Sequence, residues 1–323
     1  MNSSLANEAC HVYAQYEMDY GSGKEGQLNL DKELVQHYAN FALASAVLRC
    51  FLLVLSVMGN SVVIATVLYF TELRVTANWF LVNLASANLI TAILNQTWFA
   101  VSIFLAFAGD SRTCTSRFRF VLDLLGMVAV SVSFGSLFLV TVDRFVAVSY
   151  SLRYTALVNE KRVTFLISFC WIFSVTLSLC RTFWISQRSV IILLWFLLLI
   201  VITLIMTFVH LKLLCISSSQ SSKIVNQKKI VNPNAFCKTE RRGLATAAYV
   251  TVALLFCYVP HICVEILSRT SNLLEDISTR SLVYQATVSL YLSNASLNPY
   301  LYFLRSKRLR QYSLRLIKKF RNI

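Results

Sequence analysis

The residues best placed to do chemistry sit at the edge of an apolar run. In FLVTVDRFVAVSYSLRY, Phe138 to Tyr154, an acid and a base, Asp143 and Arg144, stand side by side. A charge at a helix centre costs on the order of 3 kcal/mol on insertion scales, so such a residue needs a partner or a purpose. Other polar groups interrupt apolar stretches: Gly59-Asn60 in VMGNSVVIA, Asn83 and Asn88 in NLASANL, Asp123, Ser131, Ser133 and Trp171. FCYVPH (Phe256 to His261) and NASLNPYLY (Asn294 to Tyr302) complete the set. Each is a functional candidate by default, or a helix-to-helix glue point at about 0.6 kcal/mol. Pro260 and Pro299 lack the N–H of an i→i−4 bond and loosen their helices. A kink backed by Asn298 leaves carbonyls for side chains or water, which suits a helix that moves. No metal-binding His/Glu cluster and no Ser-His-Asp set is present, which argues against an enzyme; no metal or cofactor is expected.

The elements carrying these residues are long and apolar. The chain of 323 residues is 57% hydrophobic and only 14% charged, with a mean hydropathy of +0.62. That excess is beyond the usual soluble domain. Runs long enough to cross a bilayer, about 20 residues each, recur at 43–70, 79–107, 116–149, 163–184, 188–215, 241–268 and 282–304. The expected fold is therefore an all-α membrane protein, a bundle of seven transmembrane helices. Residues 1–42 form an extracellular tail without order, 43–304 the bundle, and 305–323 an amphipathic basic helix with a short cytoplasmic tail. Leu309, Tyr312, Leu316 and Phe320 recur there at helical spacing between cations, a pattern that lies on an anionic inner leaflet. A transporter or channel would show repeats, matching broken helices or midplane charges; none is visible.

Charge sets the orientation. With residue 1 outside, the outer side holds 10 Lys/Arg and 11 Asp/Glu, the inner side 20 and 4. Lys and Arg concentrate on cytoplasmic loops, so the net charge of +15 is a topology signal and not a nucleic-acid one. No cleavable signal peptide is visible, and Asn2 begins a glycosylation pattern in the outer tail. Asn95-Gln96-Thr97 fits too but falls within a span. Of nine cysteines, Cys10, Cys114, Cys180 and Cys263 lie on or near the oxidising side; Cys114 is expected to pair with Cys180 or Cys10. The inner stretch Ser217 to Arg242 has the Ser, Asn and Lys content of a flexible, solvated loop.

Taken in order, GN, NLASAN, DRF, the fourth-span Trp171, FCYVP and NPYLY resemble the rhodopsin-like family of seven-helix G-protein-coupled receptors over roughly residues 45–320. The resemblance implies an extracellular ligand, a heterotrimeric G protein as partner, and a plasma-membrane location. It assigns Arg144 as the coupling residue, restrained at rest by Asp143 and by Glu240 at the inner end of the sixth helix, and released when that end swings outward. Leu152 matches the apolar residue that enters the G protein, and Tyr302 the tyrosine that rearranges on activation.

There are departures from the pattern. Asn88 stands where the family's sodium-anchoring Asp is usual; Ser133, Asn294 and Asn298 match the other sodium positions, so the pocket is degenerate. Tyr258 replaces the usual Trp before Pro260, the fifth span lacks its Pro and Tyr, and Arg119 occupies the usual disulfide cysteine. A receptor-like protein with decayed switches and poor coupling is the alternative these leave open. Residues 282–304 hold no lysine for a retinal Schiff base, and the amine-receptor Asp position is Gly126. The remaining features look like the melanocortin, adenosine, cannabinoid and lysolipid group. Asp123, His261, Glu265, Trp98 and Tyr291 are the ligand-pocket candidates, with a peptide or small polar cation favoured. Asp123 also has a plainer reading, an interfacial residue paired with Arg119 one turn back.

Overall fold

The computed structural model describes residues 32–107, 117–183, 188–227, 253, 255–264, 266–267 and 277–321. Every regular element among them is helical. The first helix is Lys32–Tyr69; the second runs Thr76–Thr91, through a π-helical turn Ala92–Gln96, into Thr97–Phe107. The third is Arg117–Ser149, the fourth Glu160–Phe183, the fifth Arg188–Gln227 and the seventh Ile277–Arg305. The sixth is described over 255–264, and an eighth helix, Lys307–Arg321, follows the bundle. Asn40–Tyr69, Thr76–Val101, Leu124–Ser149 and Glu160–Cys180 are each long and apolar enough to cross a membrane; Leu197–Leu213 and Leu255–Val264 are shorter apolar helices.

Two ends differ from the sequence expectation. The first helix starts at Lys32, so residues 32–42 are not disordered tail but helix: no Gly or Pro interrupts KELVQHYANFALAS, and its residues propagate a turn readily. The fifth helix continues to Gln227, taking the first part of the stretch expected to be a flexible loop. At about 1.5 Å per residue its 40 residues reach some 60 Å, well past a 30 Å hydrocarbon layer.

The caps are read from local chemistry. Asn159 Oδ1 accepts the Arg162 amide at 2.9 Å and starts the fourth helix; Ser306 Oγ accepts the Leu309 amide at 3.2 Å and starts the eighth. On the eighth helix Leu309, Ser313 and Leu316 face the bundle, with Ser313 Oγ 2.9 Å from Thr66 Oγ1 and the Tyr312 ring against Phe70. Of the stripe expected on the leaflet, Leu309 and Leu316 thus turn to the bundle, while Phe320 is exposed beside Leu314 and Ile317. The apolar surface the eighth helix offers to a bilayer is that second row.

Packing is densest where the backbones come closest. The first helix lies against the seventh at Gly59, where a Cβ would stand 2.8 Å from Pro299 Cβ. The lipid-facing side is the reverse: Phe165, Phe169 and Phe173 stack along the fourth helix at 6.4 and 6.0 Å and stay exposed. In water such a stripe would drive association; in a bilayer the acyl chains cover it. Gly59→Leu is expected to push the seventh helix away at its proline, an overpacking cost of about 1–3 kcal/mol. Thermal unfolding of the purified protein measures it, and an unchanged melting temperature would show the contact to be soft.

Candidate functional site

Proline 299 organises the middle of the bundle. It has no N–H, so the carbonyl four residues earlier, on Ala295, loses its intrahelical donor. Two groups of the first helix take it: Asn60 Nδ2 at 3.1 Å and Ser56 Oγ at 3.2 Å. Ser296 Oγ returns a bond to the Leu52 carbonyl at 2.8 Å, and Gln96 Nε2 reaches the Leu292 carbonyl at 3.2 Å from the second helix. The π-turn serves this, since Gln96 meets the seventh helix while its neighbour Asn95 donates to the Gly126 carbonyl at 3.1 Å on the third. The sequon residue Asn95 is thus a helix-to-helix contact. Asn83 and Trp171 are contacts of the same kind: Asn83 Nδ2 donates to Ser136 Oγ at 2.6 Å and Asn83 Oδ1 accepts from Trp171 Nε1 at 2.9 Å, joining the second, third and fourth helices.

Near the carboxyl-terminal end of the third helix, Arg144 Nε lies 3.4 Å from Asp143 Oδ2. The Asp143 side chain is 1% exposed and that of Arg144 30%. Asp143 has a second partner that the sequence reading missed: Tyr154, the first residue of the short helical link Tyr154–Leu157, donates its hydroxyl to Oδ1 at 2.6 Å. Burial first, and then this hydrogen bond to Asp143, push the Tyr154 phenol well above its ordinary range. It therefore remains a donor to higher pH than a free tyrosine. Leu152, on the 3-10 turn just before it, is 98% exposed. Glu240 lies outside the described residues.

The Asn88 region is an amide network. Ser133 Oγ donates to Asn88 Oδ1, while Asn88 Nδ2 has no partner. Asn294 Nδ2 donates to Tyr258 Oη at 2.9 Å, and Asn298 is buried with its Nδ2 unpartnered. Thr91, Ser133, Tyr258, Tyr291 and Asn294 line a cavity of about 10 Å³, close to the space one water needs. Amide nitrogens and a shared hydroxyl make a poor cage for a hard cation that prefers several oxygens. Tyr302, below, is buried.

At the opposite half of the bundle from the Asp143–Arg144 pair, aromatic rings gather. Tyr258 meets Phe134 at 4.9 Å and Tyr291 at 5.1 Å edge-on, and His261 lies 5.0 Å from Tyr291 and 5.7 Å from Tyr284. Of the predicted ligand residues, His261 and Tyr291 are thus brought together with Tyr258, and Pro260 sits half-buried beside them. Trp98 is half-buried on the second helix. Asp123 is in the third helix, but its side chain, like Glu265, Asn2 and Cys114, lies outside the described residues. Cys180 is a free thiol in the last turn of the fourth helix, and its expected partner Cys114 lies outside the described residues.

The largest omission of the sequence reading is Arg49. It is fully buried on the first helix, its Nη2 donating to the Gln285 carbonyl at 3.2 Å and its guanidinium 4.3 Å above the Phe99 ring. The signal was present, a lone cation inside SAVLRCFLLVLSV.

Comparison with known proteins accords with this geometry. The family model described as 7 transmembrane receptor (rhodopsin family) matches residues 59–302. The adenosine receptor A2b of Gallus gallus is 35% identical over 133 residues, 41% of this chain and 37% of its own length. The trace amine-associated receptor 7h of Rattus norvegicus is 26% identical over 278 residues, 77% of this chain and 75% of its own. The D(1A) dopamine receptor of Didelphis virginiana is 30% identical over 146 residues, 45% and 32% of the two lengths. The chain thus spans about a third of the length of the adenosine and dopamine receptors that it matches.

Two outcomes are expected from these contacts. Tyr154→Phe leaves buried Asp143 with Arg144 alone and should lower stability by about 1.5–3 kcal/mol, the usual size for a hydrogen bond to a charged group; chemical denaturation of the purified protein reads it. Sodium chloride should stabilise the wild type no more than choline chloride does, whereas Asn88→Asp, with its restored carboxylate beside Ser133, should gain a sodium-dependent rise in melting temperature. A sodium response in the wild type would contradict the amide-network account.

Proposed function

The chain belongs to the rhodopsin family of seven-transmembrane receptors, and from that premise we propose that it converts the binding of an extracellular ligand into activation of a heterotrimeric G protein. It is a multi-pass plasma-membrane protein. We read its amino terminus as extracellular and its basic tail as cytoplasmic, on the inner excess of 20 Lys/Arg over 4 Asp/Glu.

The observation that carries the reading is the inner cluster of Asp143, Arg144, Tyr154 and Leu152. A buried carboxylate holds a half-exposed arginine at 3.4 Å, beside a leucine with almost no contacts of its own. An ion pair this exposed on one side is weak, because solvent screens it, so modest work can release it. In this reading Glu240 adds a second restraint from the sixth helix. Outward movement of that helix frees Arg144, and Leu152 enters the G protein. Pro260 and Pro299, with Asn298 and Tyr302, give the moving helices their loosened turns.

A competing reading, a receptor-like protein with decayed switches, draws on Asn88 and on Tyr258, whose hydroxyl ties the sixth helix to Asn294. Cellular G-protein activation without added ligand separates the two. Glu240→Ala should raise basal signalling and Arg144→Ala should abolish coupling. If neither variant departs from wild type, the proposed roles are wrong and the decayed-switch reading stands.

A further inference from the structure

Among the described residues no acid pairs with Arg49. Its side chain is fully buried, and its Nε and Nη1 have no hydrogen-bond partner. The contacts it does make are the Gln285 carbonyl and the face of Phe99. Taking an ion out of water costs several kcal/mol even after relaxation, and one neutral acceptor with one ring does not offset that. Nor can the guanidinium shed its charge, because arginine keeps its proton in proteins. A cation of this kind is either a burden on the fold or a preformed half of an ion pair.

The surroundings favour the second. Arg49 is about 13 Å below Asn40 along the helix, at nine residues of about 1.5 Å each, so it faces the space between the first, second and seventh helices in the outer half of the bundle. Ser45 Oγ donates to Gln285 Oε1 at 3.3 Å one turn above, a polar path in an apolar helix. Tyr284, next to Gln285, joins the His261–Tyr291 ring cluster at 5.7 Å. On the third helix the position facing Asn95 is Gly126, where a Cβ would meet the Asn95 side-chain amide. The charge that the described outer half presents is positive.

We propose that Arg49 is the anchor of an anion site, and that the ligand of this receptor carries a carboxylate which the free Nε and Nη1 edges of the guanidinium bind. Planar forked N–H groups match a carboxylate's two oxygens, and the Tyr284–His261–Tyr291 cluster flanks the remainder of the ligand. The inference rests on the receptor reading only for the side from which the ligand enters.

The test uses the full chain in nanodiscs of zwitterionic lipid, which removes anionic headgroups as a competing source. Its melting temperature is followed against sodium acetate and, in parallel, against acetamide with matched sodium chloride. Acetate should raise the wild-type melting temperature saturably by a few degrees beyond the acetamide series. Arg49→Met should lose that response, and Arg49→Lys, a point charge without the fork, should keep only part of it. Equal effects of acetate and acetamide on the wild type, or an undiminished acetate response in Arg49→Met, would overturn the proposal. If Arg49→Met does not fold, the wild-type titration and Arg49→Lys decide between the same outcomes. Signalling is not part of the readout, so loss of coupling with the acetate response intact fails the G-protein reading alone. A flat acetate response with Arg144-dependent signalling intact fails this one alone.

Discussion

One missing hydrogen bond shapes the centre of the molecule. Hydrocarbon offers no water to a carbonyl left without a donor, so the backbone oxygen that Pro299 frees on Ala295 must be answered by protein. Asn60 and Ser56 answer it from the first helix, and they can do so only because Gly59 lets the two helices close to contact at the proline ring. Once that approach is fixed, Ser296 can reach the Leu52 carbonyl and Gln96 the Leu292 carbonyl. The first, second and seventh helices become one polar-stitched half of the bundle, and the loosened turn of the seventh is stabilised without being straightened.

The sixth helix is tied differently. Its described polar links to the seventh are the Asn294–Tyr258 hydrogen bond and a long Cys257–Ser293 contact at 3.6 Å. Ring packing of Tyr258 against Phe134 and Tyr291, and apolar packing of Ile262 and Val264, add to these. Edge-to-face rings add about 0.5–1.5 kcal/mol each and tolerate sliding better than a backbone hydrogen bond does. A helix held mainly by rings beside one held by carbonyl clamps is the asymmetry a rocking motion requires. The tyrosine hydroxyl makes that motion dearer here than an apolar ring would, since the bond to Asn294 must break or travel with it.

Much of this was legible in residue order. Long apolar runs require helices in lipid, and the two prolines mark their weak points, so the bundle and the Ala295 vacancy follow from composition and from one missing N–H. The Asp143–Arg144 pair follows from adjacency. Tyr154 does not: it lies eleven residues from Asp143, and only the inner 3-10 turn Ser151–Arg153 folds it back. The helical extension to Gln227 was hidden because Ser, Asn and Lys favour loops by composition yet can continue a helix already nucleated upstream. Asn83 and Trp171 were visible as polar residues, but which helices they join depends on rotation about each axis, which spacing within a single helix does not supply.

Arg49 shows how such a reading can also look past a charge. Counted among outer cations it is one of 10 against 11 acids, and the near-balance suggests that every positive group has a mate. Burial changes the arithmetic, because a pair counts only if its members meet. Charges in solvent are screened beyond about 10 Å at ordinary salt, whereas Arg49 lies buried beside the Phe99 ring with two nitrogens unpartnered. A favoured cationic ligand would bring like charge to that site. Under the anion-site proposal, the unpartnered guanidinium edges on the first helix would favour a negative group over a positive one.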